Sequence, residues 1–150
     1  WRAARLDLTA PAIWMAPPHD DLFQPGSHGT TFGGRPLAAT AGLAVLEVLE
    51  AEQLVAKVAD RSVAWHAELR ALVVLRPDLV KEVRGAGYMV GVILHVDPVP
   101  VVAALREAGI LTAPAGGVAV RLLPPLNASP AELAESVAIL RQVLGGWKAA

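Results

Sequence analysis

The spacing of apolar residues along the chain changes near Pro77. Over residues 36–58, apolar residues recur at helical spacing, with Leu37, Val45 and Val48 roughly on one face and further leucines on the others. This pattern predicts one long, mostly buried helix that begins at Pro36. A second helical pattern covers residues 60–74, and Pro77 ends it.

After Pro77, short apolar runs alternate with turn signals, which predicts short strands over residues 79–84, 88–96, 110–112 and 118–123. Asp97 and Pro98 are typical of a helix N-terminus, and Gly109 is expected to end that helix. The capping box Ser129–Glu132 opens a final helix whose apolar face carries Leu133, Val137, Leu140 and Leu144. The order strand, strand, helix, strand, strand, helix predicts an α/β fold with its helices on one sheet face.

Composition adds an expectation about partners. Hydrophobic residues make up 54% of the chain and charged residues 18%, which is apolar for a free-standing domain. No apolar run reaches the roughly 18 to 20 residues that a membrane span needs, so we expect either a buried interface with another polypeptide or a missing part of the protein. The net charge of −1 gives no indication of a nucleic-acid or anionic-membrane partner.

The same composition bears on metals and redox setting. The 150 residues include no cysteine, which excludes disulfides and thiolate metal sites among them and favours a cytoplasmic protein. The histidines have no metal-ligand spacing, so no metal site is predicted; they are His19, His28, His66 and His95.

The loop over residues 25–36 is the first candidate site. Its glycines allow close backbone approach, Thr30 and Thr31 present adjacent hydroxyls, and a predicted helix begins at its end. These features suit a phosphate. The alternative is a glycine-rich turn with a helix cap, which the spacing alone favours because no Walker or Rossmann pattern is met.

Arg121 is the second candidate. It lies in an otherwise apolar run, Val118–Leu126, where a charge is costly unless it is paired. A guanidinium suits bidentate contact with a carboxylate. From the residues alone, an arginine on an edge strand that reaches solvent is the favoured reading over a carboxylate partner.

Three segments together resemble the class III pyridoxal-phosphate aminotransferases, closest to the acetylornithine aminotransferase group. They are Leu22–Glu50 (LFQPGSHGTTFGGRPLAATAGLAVLEVLE), Arg84–Gly91 (RGAGYMVG) and Arg121–Leu126 (RLLPPL). The resemblance implies the C-terminal part of a fold-type I enzyme. Residues 1–35 would be a remnant of the large cofactor domain with ten atypical first residues, 36–74 the connecting helices, and 75–150 the small α/β domain with helices on one face of a mostly antiparallel sheet.

The resemblance also implies a function. Family members move an amino group between N-acetylornithine and 2-oxoglutarate in arginine biosynthesis, using pyridoxal phosphate on a lysine, and they are homodimers. Thr30 and Thr31 would contact the cofactor phosphate across the dimer interface, and Arg121 would bind the substrate carboxylate. Residues 84–91 would form a glycine-permitted turn that leads into a strand.

The chain departs from the family at the catalytic lysine. Its only lysines are Lys57, Lys81 and Lys148, and none has the family's sequence context; Arg2 stands about where that lysine would fall. The resemblance therefore implies no catalytic residue here and a chain that is inactive alone. Arg35 also replaces the usual asparagine after the glycines.

Other readings stay open. The chain could be a non-catalytic α/β domain that binds a partner through residues 36–58 and its tryptophan-bearing N-terminal segment. It could be a small phosphate-ligand binder that uses only the loop over residues 25–36. Ornithine, succinyl-diaminopimelate and 4-aminobutyrate aminotransferases share the three motifs, so the amino donor is not fixed by them.

Overall fold

The computed structural model describes residues 35–148. They fall into two compact units that are divided between Gln53 and Leu54. The described part of the first unit contains one helix, α1 (Pro36–Ala51). The second contains α2 (Leu54–Leu75), β1 (Val80–Ala86), β2 (Met89–Leu94), α3 (Pro98–Glu107), β3 (Ala113–Ala115), β4 (Ala119–Leu122) and α4 (Pro130–Gly145).

The prediction of one helix over residues 36–58 is wrong, because the helical path ends at Ala51 and a new helix begins at Leu54. Glu52 closes α1 by donating its backbone N–H to the carbonyls of Val48 and Glu50. Gln53 then has a φ of 51°, a left-handed conformation that stops a right-handed helix. Neither residue is glycine or proline, so the sequence carried no break signal.

The predicted burial of this helix is not met within the single chain, since none of the residues of α1 is buried there. Its apolar composition indicated burial without indicating what would cover it. Large aliphatic side chains are left exposed along α1, namely Leu37, Leu43, Val45 and Val48.

The four strands of the second unit form one antiparallel sheet in the order β1-β2-β4-β3. Alternate residues point to opposite faces, and one face is buried, with Val90 and Val92 of β2 beside Val120 and Leu122 of β4. Helices α2, α3 and α4 pack on this face and on each other. The predicted arrangement, with helices on one face of a mostly antiparallel sheet, is confirmed.

Three of the four predicted strands overlap observed ones, but the strand predicted over residues 110–112 is wrong. The Ile110 N–H donates to the carbonyl of Leu105 (2.9 Å), and the Gly109 N–H donates to that of Arg106 (3.0 Å). With φ of 95° at Gly109, this is a Schellman motif that ends α3. The backbone of Ile110 therefore belongs to the helix end, and β3 begins later, at Ala113.

The predicted starts of α3 and α4 are confirmed by their side-chain caps. The Asp97 carboxylate accepts the N–H of Val99 (2.9 Å) at the start of α3. At α4, Ser129 Oγ accepts the N–H of Glu132 (3.2 Å), and Glu132 Oε2 accepts the N–H of Ser129 (2.7 Å). The predicted apolar face of α4 is buried as expected. Local side-chain chemistry thus fixes where these two helices begin.

Arg76, just after α2, joins that helix end to the end of α4. Its Nη1 donates to the carbonyls of Leu144 (2.5 Å) and Trp147 (3.0 Å). Its Nε and Nη2 donate to the two carboxylate oxygens of Asp78 (2.9 and 2.7 Å), which lowers the pKa of Asp78. Arg76 therefore adds a side-chain donor to carbonyls at and just beyond the C-terminal end of α4.

Candidate functional site

The sheet face opposite the helices carries a row of residues that crosses all four strands. Arg84 of β1 pairs with Gly91 of β2, Gly91 pairs with Arg121 of β4, and Arg121 pairs with Ala113 of β3. Residues paired across strands point to the same side of the sheet. The register therefore brings Arg84 and Arg121 onto one face, with Gly91 between them.

An open cavity of about 390 Å³ lies over this row. Its charged lining residues, within the described part of the chain, are Arg84 and Arg121. The rest of its lining is uncharged: Gly85, Ala86, Met89, Val90, Gly91 and Ala115. The cavity thus combines two cationic groups with an apolar wall.

Arg121 is exposed to solvent although its strand is an inner strand of the sheet. Its neighbours Val120 and Leu122 are buried under the helices, whereas Arg121 is exposed. The reading as an edge-strand arginine is wrong because β4 lies between β2 and β3; the side chain reaches solvent because this sheet face is open. Arg121 is exposed, and within residues 35–148 its guanidinium has no hydrogen-bond or ion-pair partner, so its five N–H donors are available to a ligand.

Arg84 differs from Arg121 because it has an internal partner. Its Nη2 donates to Oε1 of Glu82, two positions earlier on the same strand and the same face. This hydrogen bond lowers the pKa of Glu82. Only one N–H of Arg84 is used among the described residues, which leaves donors for a ligand.

The hairpin that carries Arg84 and Gly91 is held in shape by glycine. Gly87 has a φ of 54° in the two-residue loop Gly87–Tyr88, where a hairpin favours such a conformation. At Gly85 the φ is 139°, and a Cβ would lie 2.1 Å from the carbonyl oxygen of Met89. The predicted glycine turn over residues 84–91 is confirmed.

Helix α2 contacts this hairpin from the buried side of the sheet. His66 Nε2 lies 2.8 Å from the carbonyl oxygen of Gly87, so the ring nitrogen donates to it. Trp65 meets the ring of Tyr88 edge-on, with centroids 5.7 Å apart. No role was predicted for His66, because its partner is remote in sequence and no local pattern indicates the contact.

A larger groove of about 590 Å³ lies between α2 and α4. Its charged rim is largely paired: Arg61 donates to the carbonyl of Ala128 (2.8 Å), and Glu68 accepts from Arg141. Its remaining lining is mainly apolar. The groove therefore offers a weaker case for binding a charged ligand than the open sheet face does.

Several sequence-predicted features lie outside the described residues. They include Thr30 and Thr31 with the glycines of their loop, and also His19, His28 and Arg2. The three lysines are described, and none of them lines the cavity beside Arg121. The residues that line this cavity consequently fit a carboxylate ligand.

The described residues offer neither a metal site nor a membrane-spanning helix. Between residues 35 and 148 there is no group of three or more histidine, aspartate or glutamate side chains arranged to hold a metal ion. None of the described helices combines the length and the hydropathy needed to cross a membrane.

Comparison with known proteins gives consistent matches. The family model for class-III aminotransferases matches residues 11–144. An acetylornithine aminotransferase from Synechocystis sp. is 41% identical over 128 residues, covering 83% of this chain and 30% of the relative. An ornithine aminotransferase from Staphylococcus carnosus is 37% identical over 123 residues, covering 82% of this chain and 30% of the relative.

Solved structures agree with this. The crystal structure of acetylornithine aminotransferase from Elizabethkingia anophelis matches with a TM-score of 0.71 and 31% identity, covering 83% of this chain and 32% of that one. Lysine aminotransferase from M. tuberculosis matches with a TM-score of 0.73 and 30% identity, covering 80% of this chain and 28% of that one. The chain thus spans about 30% of the length of the relatives that it matches.

Proposed function

The chain belongs to the class-III aminotransferases, and from that premise we propose that it holds the substrate carboxylate in an enzyme of the acetylornithine aminotransferase type. The proposed reaction moves an amino group between N-acetylornithine and 2-oxoglutarate, as a step of arginine biosynthesis. Related ornithine or 4-aminobutyrate enzymes are the alternative. The observation that carries the proposal is the guanidinium of Arg121, which has no partner among residues 35–148 and lines a cavity of about 390 Å³.

Arg121 suits this role by its chemistry and its setting. A guanidinium makes two parallel hydrogen bonds to a carboxylate, which fixes the orientation of the ligand as well as its position. The strand β4 is held on both sides by β2 and β3, so the Cα of Arg121 is rigidly placed. The residue therefore binds and orients the substrate without taking part in bond making.

We propose pyridoxal phosphate as the cofactor because the chain belongs to this family. Pyridoxal phosphate, when bound, acts as the electron sink for amino transfer. We assign its phosphate to Thr30 and Thr31, on the strength of the resemblance over residues 22–50. No catalytic residue is assigned within this chain, and we propose the division into residues 1–35, 36–74 and 75–150 given above.

We also propose that α1 forms an interface with another polypeptide. Leu37, Val45 and Val48 of α1 are 84%, 59% and 46% exposed, and such aliphatic surface is typical of a site that another polypeptide covers. We propose that the partner is a second copy of the chain or a complementary aminotransferase segment. The lack of cysteine among the 150 residues supports a cytoplasmic setting.

Binding of a simple carboxylate tests the role of Arg121. Pentanoate is titrated into the full 150-residue chain while the side-chain Nε–H resonances of arginine are followed by NMR. We expect the Arg121 resonance to shift with saturation and Arg121→Gln to abolish binding. Arg106→Gln, at an exposed arginine on α3, is the matched control. Undiminished pentanoate binding by the Arg121→Gln variant would contradict the proposal.

Turnover provides the second test. We expect the purified chain with pyridoxal phosphate, N-acetylornithine and 2-oxoglutarate to form no glutamate, because none of its three lysines has the family's context. Glutamate formed above the protein-free blank would show that the chain is catalytically complete, and the assignment of no catalytic residue would fall.

A further inference from the structure

We infer that Met89 is an oxidation site, and that its sulfoxide closes the carboxylate site by accepting a hydrogen bond from Arg121. This inference rests on the proposed function and deepens it, because it adds a means of regulating the same site. The chain has two methionines and no cysteine, so a thioether sulfur is its softest nucleophile. Met15 lies outside the described residues, and Met89 is the methionine whose surroundings the structure shows.

Met89 is open to a dissolved oxidant. It is the first residue of β2, and its side chain is 64% exposed, whereas the next residue, Val90, is buried under the helices. The oxidation of methionine to its sulfoxide requires that the oxidant reach the sulfur. The position of Met89 on the open sheet face therefore favours oxidation in the folded chain.

The strand register places Met89 diagonally opposite Arg121. Gly91 of β2 pairs with Arg121 of β4, and Met89 precedes Gly91 by two positions on the same face. Such diagonal neighbours lie about 7–8 Å apart, which is within reach of long side chains. Both residues line the cavity of about 390 Å³. Because Gly91 has no side chain, that position puts no atoms between the sulfur and the guanidinium.

The oxidation step is an oxygen transfer from a hydroperoxide such as hydrogen peroxide. A lone pair of the Met89 sulfur forms the S–O bond while the O–O bond breaks, and the departing oxygen leaves as water after taking up the peroxide proton. The sulfur is oxidised and the peroxide is reduced. The product is a polar sulfoxide, which methionine sulfoxide reductases convert back to the thioether.

The sulfoxide differs from the thioether in its hydrogen bonding. A thioether sulfur is a weak acceptor, whereas the sulfoxide oxygen carries partial negative charge. Arg121 has no partner within residues 35–148, so its N–H donors are available to that oxygen. A carboxylate must then compete with an acceptor that is tethered beside the same guanidinium. Oxidation should therefore weaken carboxylate binding while every binding residue stays in place.

Mass spectrometry and NMR test the site and its contact separately. The full 150-residue chain is treated with hydrogen peroxide, and oxidation of Met89 is followed by mass after proteolysis. We expect Met89 to be oxidised at a rate within about fivefold of that of N-acetylmethionine amide, since the sulfur is accessible. Without any ligand, the oxidised chain should show a shifted Arg121 Nε–H resonance and an unshifted Arg106 resonance.

Two variants assign the effect to one sulfur. Met89→Leu keeps the size and apolar character of the side chain and removes the sulfur, and Met15→Leu is the matched control that retains Met89. Oxidised wild type should bind pentanoate about threefold less tightly than the untreated chain, a factor within the range of exposed polar interactions. Peroxide should leave pentanoate binding by Met89→Leu unchanged and should weaken binding by Met15→Leu as it does in wild type.

The outcomes distinguish this inference from the proposed function. A slower oxidation of Met89 would mean that its sulfur is shielded, and the inference falls. It falls also if oxidation leaves the Arg121 resonance unmoved, or if that resonance shifts while the affinity for pentanoate is unchanged. If pentanoate does not bind the untreated chain, the proposed carboxylate site falls and its regulation falls with it, even where the Arg121 resonance shifts on oxidation.

Discussion

Gly85 and Gly91 lie in the same hairpin, but only one of them is required by the fold. A Cβ at Gly85 would meet backbone atoms of Met89 and Val90, which cannot move aside, and its φ of 139° is strained for other residues. Gly85→Ala is expected to lower the free energy of unfolding by about 2 kcal/mol or more, since such strain costs on the order of 1–3 kcal/mol before the clash is added.

Gly91→Ala is the matched control in the neighbouring strand. It should leave stability unchanged or raise it by about 0.5 kcal/mol, because alanine loses less conformational freedom than glycine on entering a strand. Urea denaturation of both variants, followed by circular dichroism, measures the difference. Equal losses from the two substitutions would contradict the distinct roles assigned to the two glycines.

The carboxylate of Asp78 links stability to pH. Its hydrogen bonds from Arg76 lower its pKa from the ordinary 3.8 in the folded chain. The group therefore contributes stability that is fully present above its ordinary pKa and is lost as the pH falls through the lower folded-state value. We expect the urea midpoint of the wild-type chain to fall with acidification in this range, and Asp78→Asn to reduce the slope.

Glu107→Gln is the control for this pH dependence, because Glu107 is exposed and has no ion pair in the described part of the chain. It should leave the acid slope unchanged. Glu82 and Glu132 also have lowered pKa values, through hydrogen bonds with Arg84 and with the N-cap Ser129 respectively, so some acid sensitivity should remain in Asp78→Asn. Parallel acid profiles for wild type and Asp78→Asn would refute the assignment to Asp78.

At the scale of single elements, α2 shows how one helix can have two unlike faces. Leu69 is fully buried in the core, whereas Val63 on the same helix is 72% exposed. Leu69→Ala should cost about 2–5 kcal/mol, the range for large-to-small changes in a packed core. Val63→Ala, at an exposed position, should stay within about 0.5 kcal/mol. Denaturant unfolding followed by circular dichroism measures both, and similar losses would mean that α2 packs differently.

Elements whose ends depend on local chemistry were predictable from the sequence. Asp97 and Ser129 cap their helices through residues within three positions, so the sequence contains the whole interaction. The break at Gln53 was not predictable, because a glutamine with positive φ has no sequence signature. Nor was the shift of β3, because the apolar Ile110 looks like a strand residue until its N–H is seen to close α3.

At the scale of the whole sheet, the candidate site depends on which strands pair with each other, and local sequence patterns do not predict that pairing. The motifs singled out Arg121, but they gave Arg84 no part in binding. What joins the two is the pairing of β2 with β4 across the intervening α3 and β3, which sets Gly91 opposite Arg121. Such non-local register is fixed by the buried face, where Val90 and Val92 must face the helices.

At the scale of whole molecules, α1 is the surface through which we propose that two chains associate. Val45 and Val48 are exposed on a helix that carries few charges, so a second chain that covers them would remove aliphatic surface from water. We expect light scattering after size exclusion to give a mass above that of the 15.7 kDa monomer, with dissociation on dilution.

Val48→Glu should shift this equilibrium toward monomer, because a charge in a covered aliphatic patch is left without water or a partner. Val74→Glu places the same charge at another highly exposed valine, on α2, and should leave the mass unchanged. A monomeric wild-type chain at every concentration would remove α1 as a self-association surface and leave a complementary aminotransferase segment as its proposed partner. Equal dissociation by both variants would mean that general apolar exposure, and not α1, drives the association.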